Sequence, residues 1–230
     1  MQSGKRAYLR FIRDLYGDRV IVEQSALTEY KNSISACTRC GLSAGRTHFV
    51  FGHGREDADL MFVGEGPGEA EDLSGLPFVG RAGKLLEKML SEIKLSREDV
   101  FITNVVKCRP PGNRDPKPEE IATCEPYLHR QIELIRPKVI IALGRIAGKL
   151  LIGEERSMKD MRGKLFNYRG VDLRVLYHPA AILRNMGIYD MYRQDFEALA
   201  GMYLKGRERG RDGMQAPQTG DNTGSEHGKQ

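Results

Sequence analysis

Four short apolar, β-rich runs place the strongest limit on how this chain can fold: "DLMFVG" (59–64), "VFITNVV" (100–106), "KVIIALG" (138–144) and "LRVLYHP" (173–179). Each is nearly continuous in apolar residues rather than alternating, as in a parallel strand whose two faces are both covered. Helical patterns separate them. "RAGKLLEKMLSEIKL" (81–95) collects Leu85, Leu86, Met89, Leu90 and Ile93 on one face. "KPEEIATCEPYLHRQIELIRP" (117–137) opens on Pro118 and acids and stops before Pro137, while Pro126 inside it predicts a kink or two shorter helices. A further helix is expected after Gly144 and a last one over about 190–204, and "KLFNYRGVDLRV" reads as a hairpin leading into the fourth strand. The order predicts an α/β fold: a three-layer α/β/α sandwich around a mainly parallel, four-stranded sheet.

In such sheets ligands bind beyond the carboxyl ends of the strands. At those ends the chain carries "GEGPGEAED" after the first strand, Asn104 and "KCRPPGNRDP" at the second, "GRIAGK" after the third and "HPAAILRN" after the fourth. All should face one cleft. The glycine turn fails the phosphate motifs: Gly64-x-Gly66-x-Gly68 is not G-x-G-x-x-G, and in "GRAGKLL" Leu85 stands where a magnesium-binding hydroxyl is needed. An ordinary strand-to-helix turn would explain the glycines but not the four carboxylates in nine positions. Glu65 at the strand end suits a neutral ligand with both donors and acceptors, such as a nucleobase.

Composition narrows the class. The 230 residues, 40% hydrophobic, suffice for one well-buried core. A net charge of +5 and a pI near 9.0 permit a polyanionic partner without requiring one. No apolar run approaches the ~18–20 residues of a membrane span, and "MQSGKRAYLRFIRDLYG" lacks the apolar block of a secretion signal. A cytoplasmic chain with no membrane partner is expected. Residues 205–230 hold six glycines and only Met214 and Ala216 as hydrophobics, so they are expected to form a disordered tail, with "KGRERGR" suited to skim a polyanion. A helical extension is expected over 1–36 and the globular domain over 37–204.

Four cysteines in so long a chain do not make a disulfide framework. Cys37 and Cys40 form "CTRC"; Cys108 and Cys124 lie apart, in a loop and a helix. A zinc ribbon normally brings two tight pairs, and four loosely spaced thiolates suit a [4Fe–4S] cluster as well as zinc. Spacing alone leaves both open.

Taken together, "CTRC", "GEGPGEAED", "GLPFVGRAG", "TNVVKCRPPGNRDP", Cys124 and "HPAAILRN" resemble the family 4 uracil-DNA glycosylases, the iron–sulfur branch of that superfamily, in the family's order over about 37–204. The resemblance implies a [4Fe–4S] cluster on Cys37, Cys40, Cys108 and Cys124, and uracil-containing DNA, single- or double-stranded, as partner. It implies that Phe78 stacks on an extruded uracil, that Asn104 reads its amide edge, and that His178 donates to O2, where charge grows as the glycosidic bond breaks. Glu65, with the turn at Gly66 and Gly68, would lie near that bond and the attacking water, and Glu71 near uracil C5. Other branches place a water-activating Asp or Asn where this chain has Gly66, and some use a tyrosine at the place of Gly68. Glu65 is therefore left as either base or water-positioning carboxylate. "KCRPPGNRDP" contains no histidine of the kind that crosslinks to DNA in a related branch. Ile182 and Leu183 resemble the wedge that fills the gap left by a flipped base. Arg184, Arg109 and Arg114 are candidate phosphate contacts. A monomer is expected, and a sliding clamp is carried as a candidate partner. The competing readings are a non-catalytic, metal-containing nucleic-acid-binding module and an iron–sulfur nucleotide-binding redox protein; the broken phosphate motifs disfavour the latter.

Overall fold

The computed structural model describes residues 24–211, with side chains described to residue 201. In chain order it contains α1 (Ala26–Ile34), β1 (His53–Gly54), β2 (Leu60–Gly64), α2 (Glu69–Ser74), α3 (Arg81–Glu92), β3 (Phe101–Asn104), α4 (Pro118–Ile135), β4 (Val139–Leu143), α5 (Arg145–Ile152), α6 (Met158–Met161), β5 (Leu165–Tyr168), β6 (Val171–Leu176), α7 (Pro179–Arg184) and α8 (Tyr189–Arg211).

The apolar runs become the four central strands of a six-stranded sheet ordered β1-β3-β2-β4-β6-β5. The inner four run parallel and both edges are antiparallel. Burial on both sides explains the unbroken runs. In β2, Leu60 and Phe62 enter one core, with Leu86 and Met89 of α3, Ile182 of α7 and Phe196 of α8. Met61 and Val63 enter the opposite core, with Leu27 of α1, Leu128 of α4 and Leu151 of α5. Each such side chain contributes ~1.5–3 kcal/mol by leaving water, which stabilises the three layers in this register.

The two edge strands correct the expected count of four. The second strand of the expected hairpin is the fourth parallel strand itself, and β5 pairs with it through a two-residue turn at Arg169 (φ 50°) and Gly170 (φ 90°). Left-handed residues at both positions match the twist of the flanking strands. β1 is two residues long and has no apolar run to announce it.

α4 also differs from expectation. It continues through Pro126 as one helix, anchored by Pro118 at its first position and by Glu120, whose carboxylate accepts from the Lys117 backbone N–H at 2.7 Å. The missing N–H of Pro126 removes one helical bond, and burial of Cys124, Tyr127, Leu128 and Ile132 against the sheet outweighs that loss. α8 runs to Arg211, past the expected end near 204. Most of the expected N-terminal extension, and the tail from 212 on, lie outside the described residues.

β3 lies on one side of β2, while β4 and β6 lie on the other. The crevice of this order reversal opens beyond the carboxyl ends of β2 and β4.

Candidate active site

A cleft of about 620 Å³ occupies that crevice, and all four strand-end motifs line it. Glu65, Gly66 and Gly68 come from the turn after β2, Asn104 from the end of β3, Gly144 and Arg145 from the junction of β4 and α5, and His178 from the end of β6. The glycine turn works by close approach. A Cβ on Gly64 would stand 2.4 Å from Asn104 Oδ1 and 2.6 Å from the Phe78 ring, so only glycine lets both side chains reach the cleft over the strand end.

Phe78 holds a left-handed backbone (φ 53°), an uncommon conformation for an aromatic residue. Its peptides are clamped from both sides. Arg97 donates to the carbonyls of Pro77 and Phe78, and Glu71 Oε1 accepts from the N–H groups of Val79 (3.0 Å) and Gly80 (2.8 Å). Glu71 Oε2 accepts from Gly68 N–H at 3.1 Å, so one carboxylate joins the glycine turn to the Phe78 loop. A Cβ on Gly83 would lie 1.8 Å from the Phe78 carbonyl oxygen, which makes α3 part of the same seat.

The Phe78 ring lies 5.5 Å from the His178 ring, tilted by 32°. His178 Nδ1 accepts from the Ala180 N–H at 3.1 Å, capping α7. With Nδ1 accepting, the neutral ring carries its proton on Nε2 as a donor. Burial first, and the Arg184 charge with it, push the imidazole down to about 4 against the opposing Glu71 charge, so the ring is neutral at ordinary pH. Asn104 Oδ1 is buried with no hydrogen-bond partner, although the residue is only 1% exposed. An orphaned acceptor in a cleft awaits a donor from a ligand. Burial raises Glu65 to about 7, with Asp115 adding to the rise and Arg145 and Arg184 opposing it. An ion pair between Arg145 and Asp115 (3.0 Å) borders the cleft. The arrangement fits a flat, uncharged ring that offers a donor to Asn104 and an acceptor to His178.

The four cysteines gather around α4, in the core that Met61 and Val63 enter. Cys108 and Cys124 are buried, Cys37 and Cys40 pack against the same core, and all four are free thiols. Arg46 donates to Cys108 Sγ (3.3 Å) and to the Cys37 carbonyl (2.6 Å). Tyr127 O–H donates to Cys37 Sγ at 3.1 Å, and the Lys107 N–H to Cys124 Sγ at 3.3 Å. Burial raises the Cys108 thiol and pushes Cys124 up to about 11. Among the described residues, no three His, Cys, Asp or Glu side chains close on a single metal ion. The donor set itself, four thiols of which Cys37, Cys108 and Cys124 are met by N–H or O–H donors, fits a thiolate-ligated group.

Residues 51–200 match the model of the uracil DNA glycosylase superfamily. The chain belongs to that superfamily. Within it, a type-4 uracil-DNA glycosylase of Archaeoglobus fulgidus is 45% identical over 182 residues, covering 76% of this chain and 92% of the relative. Relatives of the same description from Saccharolobus solfataricus and Thermotoga maritima are 48% and 49% identical, covering 72% and 66% of this chain and 81% and 80% of theirs. They assign the chain to the family 4 uracil-DNA glycosylases that the motifs resemble. The superfamily match starts at Phe51 and so leaves out Cys37 and Cys40, whereas it covers every residue of the cleft.

In this glycosylase scaffold Glu65, Gly66, Gly68, Glu71, Phe78, Asn104 and His178 all meet in the cleft, joined at its rim by Arg114 and Arg184. One expectation needs correction. Ile182 is 0% exposed, packed in the core with α3 and α8, so it cannot enter a base stack. Leu183 is part-buried, and the large apolar side chain that does stand in solvent at this corner is Met186, 62% exposed. Arg114 is engaged by Glu120 through paired bonds of 2.7 and 2.8 Å, which matches its charge before any phosphate arrives. Arg109 lies outside the cleft lining and contacts Asn113 (2.8 Å) and Glu69 (3.5 Å). The sequence reading missed Arg97, Asp115 and Arg145. Of these Asp115 and Arg145 carried a signal, their places in "KCRPPGNRDP" and "GRIAGK" at the strand ends, and Arg97 carried none.

Proposed function

We propose that this chain is a uracil-DNA glycosylase of DNA repair: it takes a uracil swung out of DNA into the cleft and hydrolyses its N-glycosidic bond, leaving an abasic site. The observation that carries the reading is the buried, unpartnered Asn104 Oδ1 beside the Phe78 ring and the Nε2 donor of His178. Uracil presents N3–H as the donor that Asn104 Oδ1 lacks, O4 as acceptor for the amide N–H₂, and O2 as acceptor for His178. As the C1′–N1 bond lengthens, negative charge collects on the base and positive charge on the sugar. A neutral His178 aimed at O2 meets the first charge, stabilising the transition state more than the ground state. Ionised Glu65 meets the second and orients the water whose oxygen bonds to C1′. The departing base takes up one proton and the sugar keeps the hydroxyl, so the step balances as hydrolysis.

DNA is the partner this chemistry requires, and Arg145 and Arg184 at the rim suit its phosphates. Cys37, Cys40, Cys108 and Cys124 would hold a [4Fe–4S] cluster. Bound there, it would cross-link the segment before β1, the turn after β3 and α4. A uracil-containing oligonucleotide, incubated with the chain and then cleaved by alkali, should yield strand breaks at the uracil alone. Intact strands after incubation with folded protein would refute the reading.

A further inference from the structure

Lys107 takes no part in this chemistry, yet it is 0% exposed. Its Nζ is held by three oxygens, none a carboxylate: the Asn104 carbonyl and Gln131 Oε1, both at 2.6 Å, and Thr103 Oγ1 at 2.7 Å. Burying an amine this far from water is unfavourable unless its partners are fixed. They are fixed here, since Gln131 Nε2 and Thr103 Oγ1 both donate to the Phe51 carbonyl at 2.8 Å.

The lysine lies in a strap of five residues, 104–108, whose atoms serve two sites. At its start Asn104 faces the cleft. Next, the N–H groups of Val105 and Val106 donate to the carbonyls of Gly64 (2.9 Å) and Glu65 (3.1 Å), holding the glycine turn from beneath. The Lys107 backbone N–H reaches Cys124 Sγ, and the strap ends in Cys108. The Lys107 side chain folds back along this strap to the peptide of Asn104.

We infer that Lys107 is a positioning residue, whose amine fixes the carbonyl end of β3 and so the height at which the Asn104 amide meets the base, while its backbone ties that end to the cysteine centre. The inference rests on the reading of Asn104 as the uracil contact. Without the amine, the Asn104 carbonyl and Gln131 Oε1 lose their donor, and the strap shifts to find another. A displacement of about 1 Å is enough to cost on the order of 10²-fold in a step that depends on orientation.

Lys107→Met and the pair Lys107→Met/Gln131→Leu test this. The second removes one of the orphaned acceptors, Gln131 Oε1, along with the lysine, so it recovers part of the lost stability where the lysine serves the fold alone. Four readouts apply: iron per chain, thermal midpoint, affinity for free uracil beside affinity for abasic-site DNA, and single-turnover uracil release. Both variants should keep iron and abasic-site affinity near wild type and lose ~10-fold or more in uracil affinity and release, even where the pair regains the thermal midpoint. Recovery of uracil affinity together with stability in the pair would overturn the inference. If Lys107→Met fails to fold, Thr103→Val removes one of the three acceptors while keeping strand shape. It should lower uracil affinity by about 3-fold with iron retained, and an unchanged affinity would overturn the inference equally. Wild-type protein that releases no uracil would refute the glycosylase reading itself, and an active wild type beside unaffected variants refutes only the role of Lys107.

Discussion

At His178 the backbone selects the tautomer, because Nδ1 is occupied by the Ala180 N–H and only Nε2 is left to donate. His178→Ala should slow single-turnover cleavage by ~10²-fold or more while leaving DNA binding nearly unchanged. An equal loss in both would mean that the residue holds the fold or the DNA rather than the developing charge. Glu65 predicts a pH profile. Its carboxyl is raised to about 7, so the ionised form that can face a cationic sugar grows in through neutrality, and cleavage should rise with pH about that midpoint. Asp115→Asn should move the midpoint down, and Arg145→Ala should move it up, following the signs of their charges. Stability runs the other way. Folded Glu65 holds its proton to higher pH than the unfolded chain, so the native state loses stability as pH climbs from the ordinary carboxylate range to about 7. Glu65→Gln should therefore raise the thermal midpoint at pH 8 relative to wild type and leave it unchanged near pH 4. A midpoint unchanged at pH 8 would place Glu65 in a wetter site than the cleft provides.

Among the elements, the loop from Pro77 to Gly80 has the least local support and the most outside help. Nothing intrinsic to "PFVG" favours a left-handed phenylalanine; Arg97 and Glu71 hold it there from elsewhere in the chain. Arg97→Met, which keeps the apolar stem and removes the two carbonyl bonds, should free this loop and weaken capture of the flipped base by roughly 1–3 kcal/mol, the worth of one aromatic stacking contact. KM for uracil DNA should rise more than abasic-site affinity falls; equal changes would make Arg97 a general stabiliser. The motif "GLPFVGRAG" already marked Phe78 as a candidate. The clamp itself was not legible, since Arg97 lies in the turn between α3 and β3 and meets Phe78 only when the chain folds back. The same limit explains Ile182. Its place in "HPAAILRN" pointed to DNA, but α7 turns it toward α3 and α8, where burying its side chain is more favourable than exposing it.

For the whole molecule, the cysteine centre lies in the core around α4 while the cleft lies at the strand ends, so loss of one need not mimic loss of the other. Cys108→Ala should lose iron and lower the thermal midpoint together, because ligand binding energy is also folding energy. Zinc at one equivalent without iron would settle the choice that spacing left open in the other direction. The near-continuous strands, the helical periods between them and the glycine turn are local patterns. They were enough to specify a three-layer α/β sandwich and to bring Glu65, Asn104 and His178 to one edge of it, since every parallel strand delivers its carboxyl end to the same side. Convergence of the four cysteines followed from the same logic only in outline. What tertiary structure alone decided is which side chains remain free to act. Arg114 is neutralised by Glu120, Ile182 is buried, Glu71 is bound by three backbone N–H groups, and Lys107 is drawn under Asn104. Each of these outcomes depends on partners brought close by packing, and packing distances are not a function of separation along the chain.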